Sequence, residues 1–342
     1  MSTARKLMIA LTALVGLTPS TDVDAQAYCA LRDPVGSIYE LFPEAANYRS
    51  IVKVVGNDAR AAIAANLPLD LHFNELGKHT IYAALKGDQP IGLVHARSES
   101  DRWGLTEVVW ALDLDLRIVD FRFQRCRNPT RRLLEDSGFR AQLQGKSYPE
   151  IRGMLSDDAE RFRAGSYNPS EDIADLALVV IRSALKTILV TATVWENELR
   201  SMRVQAMVAQ YFGRSHQLEA MPVPYTPELV NELNRHLLEE RTGVDRDNLS
   251  MHRIRSSDGT VLGFLMDSPW RSGTTEVRLQ WALSDSGRVL GVVAHDVDVE
   301  PEILNSLVRL RGFFPSKTAQ CANALELSAF ELSMLARAHS ED

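Results

Sequence analysis

Apolar and polar residues alternate with a period of two along Thr80–Leu85 and again along Ile91–His95. The residues between them, Lys86-Gly87-Asp88-Gln89-Pro90, are turn formers. Alternation puts one set of side chains on each face of an extended chain, so the pair reads as a β-hairpin. Two more alternating segments follow at Thr106–Leu116 and Arg117–Phe123. The pattern returns late in the chain, where Val277–Leu283, Asp285-Ser286-Gly287 and Arg288–Ala294 read as strand, turn and strand, with a further turn at Ser257-Asp258-Gly259-Thr260. Helical spacing marks Pro34–Leu41 and Asp58–Ala65 ahead of the first sheet and Pro227–Leu238 ahead of the second. Pro169-Ser170 and Pro315-Ser316 each lead into a long helix, with serine placed to cap its first turn.

The two sheet regions are related. Displaced by 171 residues, Gly92 falls on Gly263, Trp110-Ala111-Leu112 on Trp281-Ala282-Leu283 and Arg117 on Arg288, with apolar character kept at Leu93/Phe264, Val94/Leu265 and Val108/Leu279. The first copy carries a charged, loop-like insertion at 128–167, with a short helix expected around Ser147–Leu155. The fold class is therefore α+β, with two repeated small antiparallel sheets flanked by helices. A helix from Glu171 to about Phe212 and the Pro-rich stretch Met221–Pro227 join them. The expected domains are 28–220 and 221–342. Asp175, Arg182 and Lys186 recur near one face of the long helix. Each would cost about 2.5–3.5 kcal/mol in hydrocarbon, so a packed amphipathic helix is expected rather than a membrane span.

Ahead of all this, Arg5 and Lys6 precede an apolar run, Leu7–Leu17, and then Ala25-Gln26-Ala27. That order is a secretory signal with cleavage expected after Ala27, placing the mature chain in the periplasm or outside the cell with no transmembrane helix left. The 342 residues are 45% hydrophobic and carry a net charge of −7, a balance that speaks against nucleic-acid binding. Export changes the reading of the three cysteines, Cys29, Cys126 and Cys321. Either Cys29 bridges Cys126 and staples the mature terminus, or all three are thiols. The sequence has no C-x-x-C or C-x-x-C-H, so neither a thioredoxin-type pair nor c-type haem attachment is expected.

Leu41-Phe42-Pro43-Glu44-Ala45, Pro90-Ile91-Gly92-Leu93-Val94, and Val289-Leu290-Gly291-Val292-Val293 with His295 resemble segments of the FMN-binding domain family. That family includes the C subunit of the sodium-pumping quinone reductase, the G subunit of the Rnf complex and the nitrous-oxide reductase regulator. The resemblance implies a tandem pair of such domains, an electron-transfer accessory role, and a membrane respiratory or envelope complex as partner. Many members hold FMN covalently through a threonine in a Gly-Ala-Thr segment, which this chain lacks. FMN, if bound, would then be non-covalent. Ser316, Lys317 and Thr318 at a helix start suit a phosphate, and Trp270 with Arg271 would position the ring. Ser316 and Thr318 read equally as simple helix caps.

Other constellations carry less. His72, Glu75, His79 and His95 have donor types that suit a transition metal. Their spacing is not a zincin pattern, however, and Gly77 breaks any helix, so a polar loop before a strand is expected and no metal. Trp110 and Trp281 read as core, whereas Trp103 and Trp270 stand beside polar turns. Arg122, Arg125, Arg127, Arg131 and Arg132 read as a solvated basic face, and Asp113 and Asp115 as the wet face of a strand. No Ser/His/Asp triad motif, P-loop or G-x-G-x-x-G is present. Two functions follow: a flavin-carrying accessory protein, or a cofactor-free scaffold that binds a partner.

Overall fold

A computed structural model describes residues 33–340 except 73–74, 167–168, 214–215, 224, 237–242, 273–274, 297–298, 300 and 314–323. The first half runs α1 (Val35–Leu41), β1 (Asn47–Val55), α2 (Asn57–Ala64), β2 (Gly77–Lys86), β3 (Gln89–Asp101), β4 (Gly104–Leu112) and β5 (Ile118–Arg125). Three short helices follow, α3 (Arg131–Asp136), α4 (Phe139–Leu143) and α5 (Tyr148–Arg152), and then α6 (Glu171–Val194). The second half runs α7 (Glu196–Phe212), β6 (His216–Met221), α8 (Pro227–His236), β7 (Ser250–Ser256), β8 (Val261–Ser272), β9 (Thr275–Ser284), β10 (Val289–Ala294), α9 (Pro301–Arg309) and α10 (Ala324–Ala338).

Each half holds one five-stranded sheet, antiparallel throughout, with strands in chain order. The hairpin expected at Lys86–Pro90 closes as Lys86 opposite Gln89, leaving Gly87-Asp88 as the loop, with Gly87 at φ +65°. That left-handed conformation is open to glycine without a Cβ clash. Two strands were not anticipated. β1 and β6 are the outer strands of their sheets, and α2 and α8 each lie between that outer strand and the next rather than ahead of the sheet. β6 also ends at Met221, so the second sheet begins before the Pro-rich stretch, which leads from β6 to α8.

Both faces of each sheet are covered, because strand alternation offers each an apolar set. In the first half Ile81, Leu93, Val108, Trp110, Leu112 and Phe121 pack under α6, while Val94, Ala96, Val109 and Ala111 pack under α1. Burial of each Leu, Ile, Val or Phe contributes about 1.5–3 kcal/mol. Trp110 is fully buried and gives its indole N–H to Ser183 Oγ on α6 at 3.0 Å, so this ring carries no unpaired donor. In the second half Phe264, Met266, Leu279, Trp281 and Leu283 pack with α10, and Ile254, Leu265 and Ala282 with α7. So α7 does for the second sheet what α1 does for the first.

The long helix expected from Glu171 to Phe212 is two helices broken at Trp195, whose φ of −109° and ψ of 26° interrupt the helical run. Ser170 holds the N-cap position of α6 without a side-chain bond, and Glu171 and Asp172 in the first turn complement the helix dipole. The insertion is more ordered than its composition suggested: Ser147 and Glu150 form a reciprocal capping box that starts α5. Asp113 and Asp115 lie in the turn after β4, not on a strand face, and Asp113 accepts the N–H groups of Asp115 and Arg117 at 2.9 and 2.8 Å. Of the three charges on the long helix, Asp175 is exposed but Lys186 is buried against the sheet. No described helix is long and apolar enough to cross a membrane.

Candidate functional site

Of the residues expected to position a cofactor, Trp270 and Arg271 stand on opposite faces of β8. Trp270 is 4% exposed, belongs to the second core, and donates its indole N–H to Ser328 Oγ at 3.1 Å. Arg271 follows it on β8 and so points to the opposite face, where it pairs with Glu276 at 2.8 Å. Ser316, Lys317 and Thr318 lie outside the described residues, as does Cys29. Cys126 is half-buried, with the Thr106 hydroxyl 3.7 Å from its sulfur. Trp103 is exposed under the guanidinium of Arg102, and in the basic patch Arg122 and Arg131 pair with Glu40 and Glu135.

A buried ionic cluster lies between the first sheet and α6. Glu75 is no loop residue in water: its carboxylate accepts Arg97 Nη2 at 2.5 Å, Lys186 Nζ at 3.2 Å and the His72 N–H at 2.8 Å. Lys186 also reaches Glu99 at 2.9 Å. Burial pushes the Glu75 carboxyl up, but Arg97, Lys186 and the His72 N–H outweigh it and hold it below the usual range. The same burial raises Glu99. His79 donates Nε2–H to the Glu75 carbonyl oxygen at 2.8 Å, and burial with Arg97 nearby pulls its imidazole down to about 3. His95 sits on the adjacent strand, as the sequence suggested, and burial lowers it well below its ordinary value. The Thr191 hydroxyl donates to the Thr187 carbonyl, so His95 Nδ1 must be the donor to Thr191 Oγ1 at 2.8 Å. Both imidazoles are therefore neutral, and Arg97 and Lys186 are the cations that reach Glu75 and Glu99. Among the described residues no set of His, Cys, Asp or Glu is placed to hold a metal ion. With its carboxylate taken by Arg97 and Lys186, Glu75 serves the packing of α6.

A different arrangement lies on the α7 side of the second sheet. There a cavity of about 510 Å³ opens between α7 and the strands, lined by Asn197, Arg200, Ser201 and Val204 of α7 and by His252, Asp267, Arg278 and Gln280 of the sheet. A second hollow of about 560 Å³, lined by Glu196, Glu276, His295 and Asp296, shares Arg278 with it. Asp267 stands directly opposite Gln280 in the β8–β9 ladder. Gln280 is 4% exposed and its Oε1 has no hydrogen-bond partner. The Asp267 carboxylate has Arg278 Nε at 3.9 Å and His295 Nε2 at 3.6 Å, both beyond hydrogen-bond reach. Elsewhere on α7, Arg203 donates to the carbonyl oxygens of Leu114 at 2.6 Å and His295 at 2.9 Å, tying the helix to both halves.

The repeat supplies an internal control. In the first sheet the pair equivalent to Asp267 opposite Gln280 is Ala96 opposite Val109, both buried under α1. The fold is therefore content with apolar residues at these two places. Conversely, His95, Arg97 and Glu99 of the first half are replaced by Met266, Ser268 and Trp270. The α6 side of the first sheet thus loses its charged groups in the second half, while the α1 side of the first sheet buries Ser98 and Glu107 beside Ala96 and Val109. The sequence reading passed over Asp267, Arg278 and Gln280, although the same displacement that aligns the tryptophans sets Ala96 beside Asp267 and Val109 beside Gln280. No known protein family, curated protein or solved structure matches the chain.

Proposed function

We propose that the chain is an exported binding protein whose binding site is the cleft between α7 and the second sheet. One observation carries this reading: at the two positions that the first half fills with Ala96 and Val109, Gln280 buries an Oε1 without a partner and Asp267 holds a half-buried carboxylate whose neighbours Arg278 and His295 stand 3.9 and 3.6 Å away. A buried acceptor left without a donor costs about 1–3 kcal/mol, and a bound ligand is one way of supplying the missing partner.

The test is the double variant Asp267→Ala/Gln280→Val, which installs residues the fold already accepts. It should melt at or above the wild-type temperature and lose whatever small molecule the wild-type protein retains, as read by mass spectrometry of the denatured protein. A variant that melts well below wild type would show these groups to be structural and end the proposal. Non-covalent FMN with an electron-transfer role is the rival reading and rests on the family resemblance. Against it stand the engaged N–H of Trp270 and the outward direction of Arg271. A flavin spectrum in purified protein, released by acid, would restore it.

A further inference from the structure

Granting that the cleft is a binding site, we infer that it takes a small zwitterion of the amino-acid type, with an apolar side chain. The inference follows from how donors and acceptors are sorted across the cavity. On the sheet floor, Asp267 and Gln280 face each other across adjacent strands, a relation that brings Cβ atoms to about 4.5–5.5 Å. Two acceptors are thus side by side, one anionic, with Gln280 Oε1 wholly without a donor and the carboxylate beyond hydrogen-bond distance of the Arg278 guanidinium, 3.9 Å away. A group with several N–H donors and a positive charge satisfies both at once, and a primary ammonium has that form. Two arginines also line the cavity, beside Asn197, Ser201, Asn248, Ser250 and His252. Arg278 is partly exposed beside the floor, and Arg200 of α7, although paired with Glu196 at 2.9 Å, keeps its Nε buried with no partner. Guanidinium groups so placed bind a carboxylate.

Single-ended ligands fit worse. A simple amine would satisfy the floor but bring its charge toward two arginines, and a dicarboxylate would set an anion against Asp267. Val204, Leu218 and Leu265 supply an apolar wall for a side chain, and about 510 Å³ lies within the range of small-molecule pockets. The protein's net charge of −7 makes two arginines against one aspartate in this lining a local reversal of sign.

Isothermal titration of the full mature chain with three probes reads the inference directly: L-leucine, 3-methylbutylamine, which lacks the carboxylate, and 4-methylpentanoate, which lacks the ammonium. Leucine is expected to bind saturably and each analogue at least tenfold more weakly. Asp267→Ala/Gln280→Val should remove leucine binding without lowering the melting temperature, and Arg278→Gln should weaken leucine while leaving 3-methylbutylamine unchanged. Leucine binding no better than either analogue, or no saturable binding of leucine, overturns the zwitterion. The cleft reading is judged separately: it survives that result if the double variant is at least as stable as wild type, and falls with it if the double variant is destabilised.

Discussion

The ring of Phe42, at the end of α1, lies on Gly92 of β3 so closely that a Cβ on the glycine would run into it and into the Leu112 carbonyl oxygen. The relationship recurs one repeat later, where Phe212 at the end of α7 lies on Gly263 of β8 beside the Leu283 carbonyl oxygen. The aligned glycines are thus each covered by a phenylalanine, although Phe42 and Phe212 stand one position out of the repeat's register: each glycine is a gap in a strand into which the covering helix sets an aromatic ring.

Gly92→Ala should consequently destabilise the first half by about 1–3 kcal/mol through overpacking. Phe42→Leu in the same chain should return part of the loss, because the ring gives way more readily than the Leu112 backbone. Urea denaturation of the two single variants and the double one measures the coupling. Gly263→Ala should cost more, since Gly263 also sits at φ +154°.

Lys186→Met would leave Glu99 with no cation in contact and Glu75 with Arg97 alone. Breaking a buried ion pair from one side costs about 3–5 kcal/mol. Lys186→Met/Glu99→Gln, which removes the stranded charge as well, should be less destabilised than Lys186→Met. Equal melting temperatures for these two variants would show that Glu99 is not held as an anion by Lys186.

Acid should weaken the fold through its buried imidazoles. His79 stays neutral in the folded chain down to about pH 3, and His95 is lowered in the same direction, whereas both take up a proton near pH 6.5 when unfolded. The unfolded state then binds more protons, and stability falls as pH drops below 6.5, by about 1.4 kcal/mol per pH unit for each group. His95→Met, borrowing Met266 from the other half, should flatten that slope between pH 6.5 and 4.5 whatever it does to stability at pH 8. An unchanged slope would refute the assignment.

Asp113 works in the opposite sense. Burial, with Asp115 nearby, lifts its carboxyl from 3.8 to about 6, so the folded state binds the proton more tightly than the unfolded one. Its charge therefore opposes folding fully above pH 6, and that cost fades as pH falls toward 3.8. Asp113→Asn keeps an oxygen for the turn's N–H groups and should gain on the order of 1–3 kcal/mol at pH 8, the gain vanishing by pH 4.

The sequence was legible where strands are flanked by turn formers and buried on both faces. The hairpin at Lys86–Pro90 and the core roles of Trp110 and Trp281 follow from local pattern. β1 and β6 escaped because each has one neighbouring strand: only Val55 of β1 is buried, and no residue of β6 is, so neither needs a regular alternation. Trp270 looked turn-proximal because β8 and β9 run further than their apolar residues suggest, carrying it into the core. Glu75 read as a loop residue because its partners stand 22 and 111 positions later, and no local pattern registers such a pairing. The cleft was legible only by comparing the chain with itself.

The helix α7 gains a further meaning from the direction in which a chain is made. It leaves the ribosome before any strand of the second sheet, and the first half is by then complete enough to receive it, through Arg203 on the Leu114 carbonyl, Gln205 on the Asp88 carbonyl and Glu198 with Lys53. Chains arrested after Phe212 and given length to clear the exit tunnel should already protect the amides of α7 from exchange. The wall of the cleft would then be standing before its floor is laid, and β6–β10 would assemble against a surface that the earlier half holds in place.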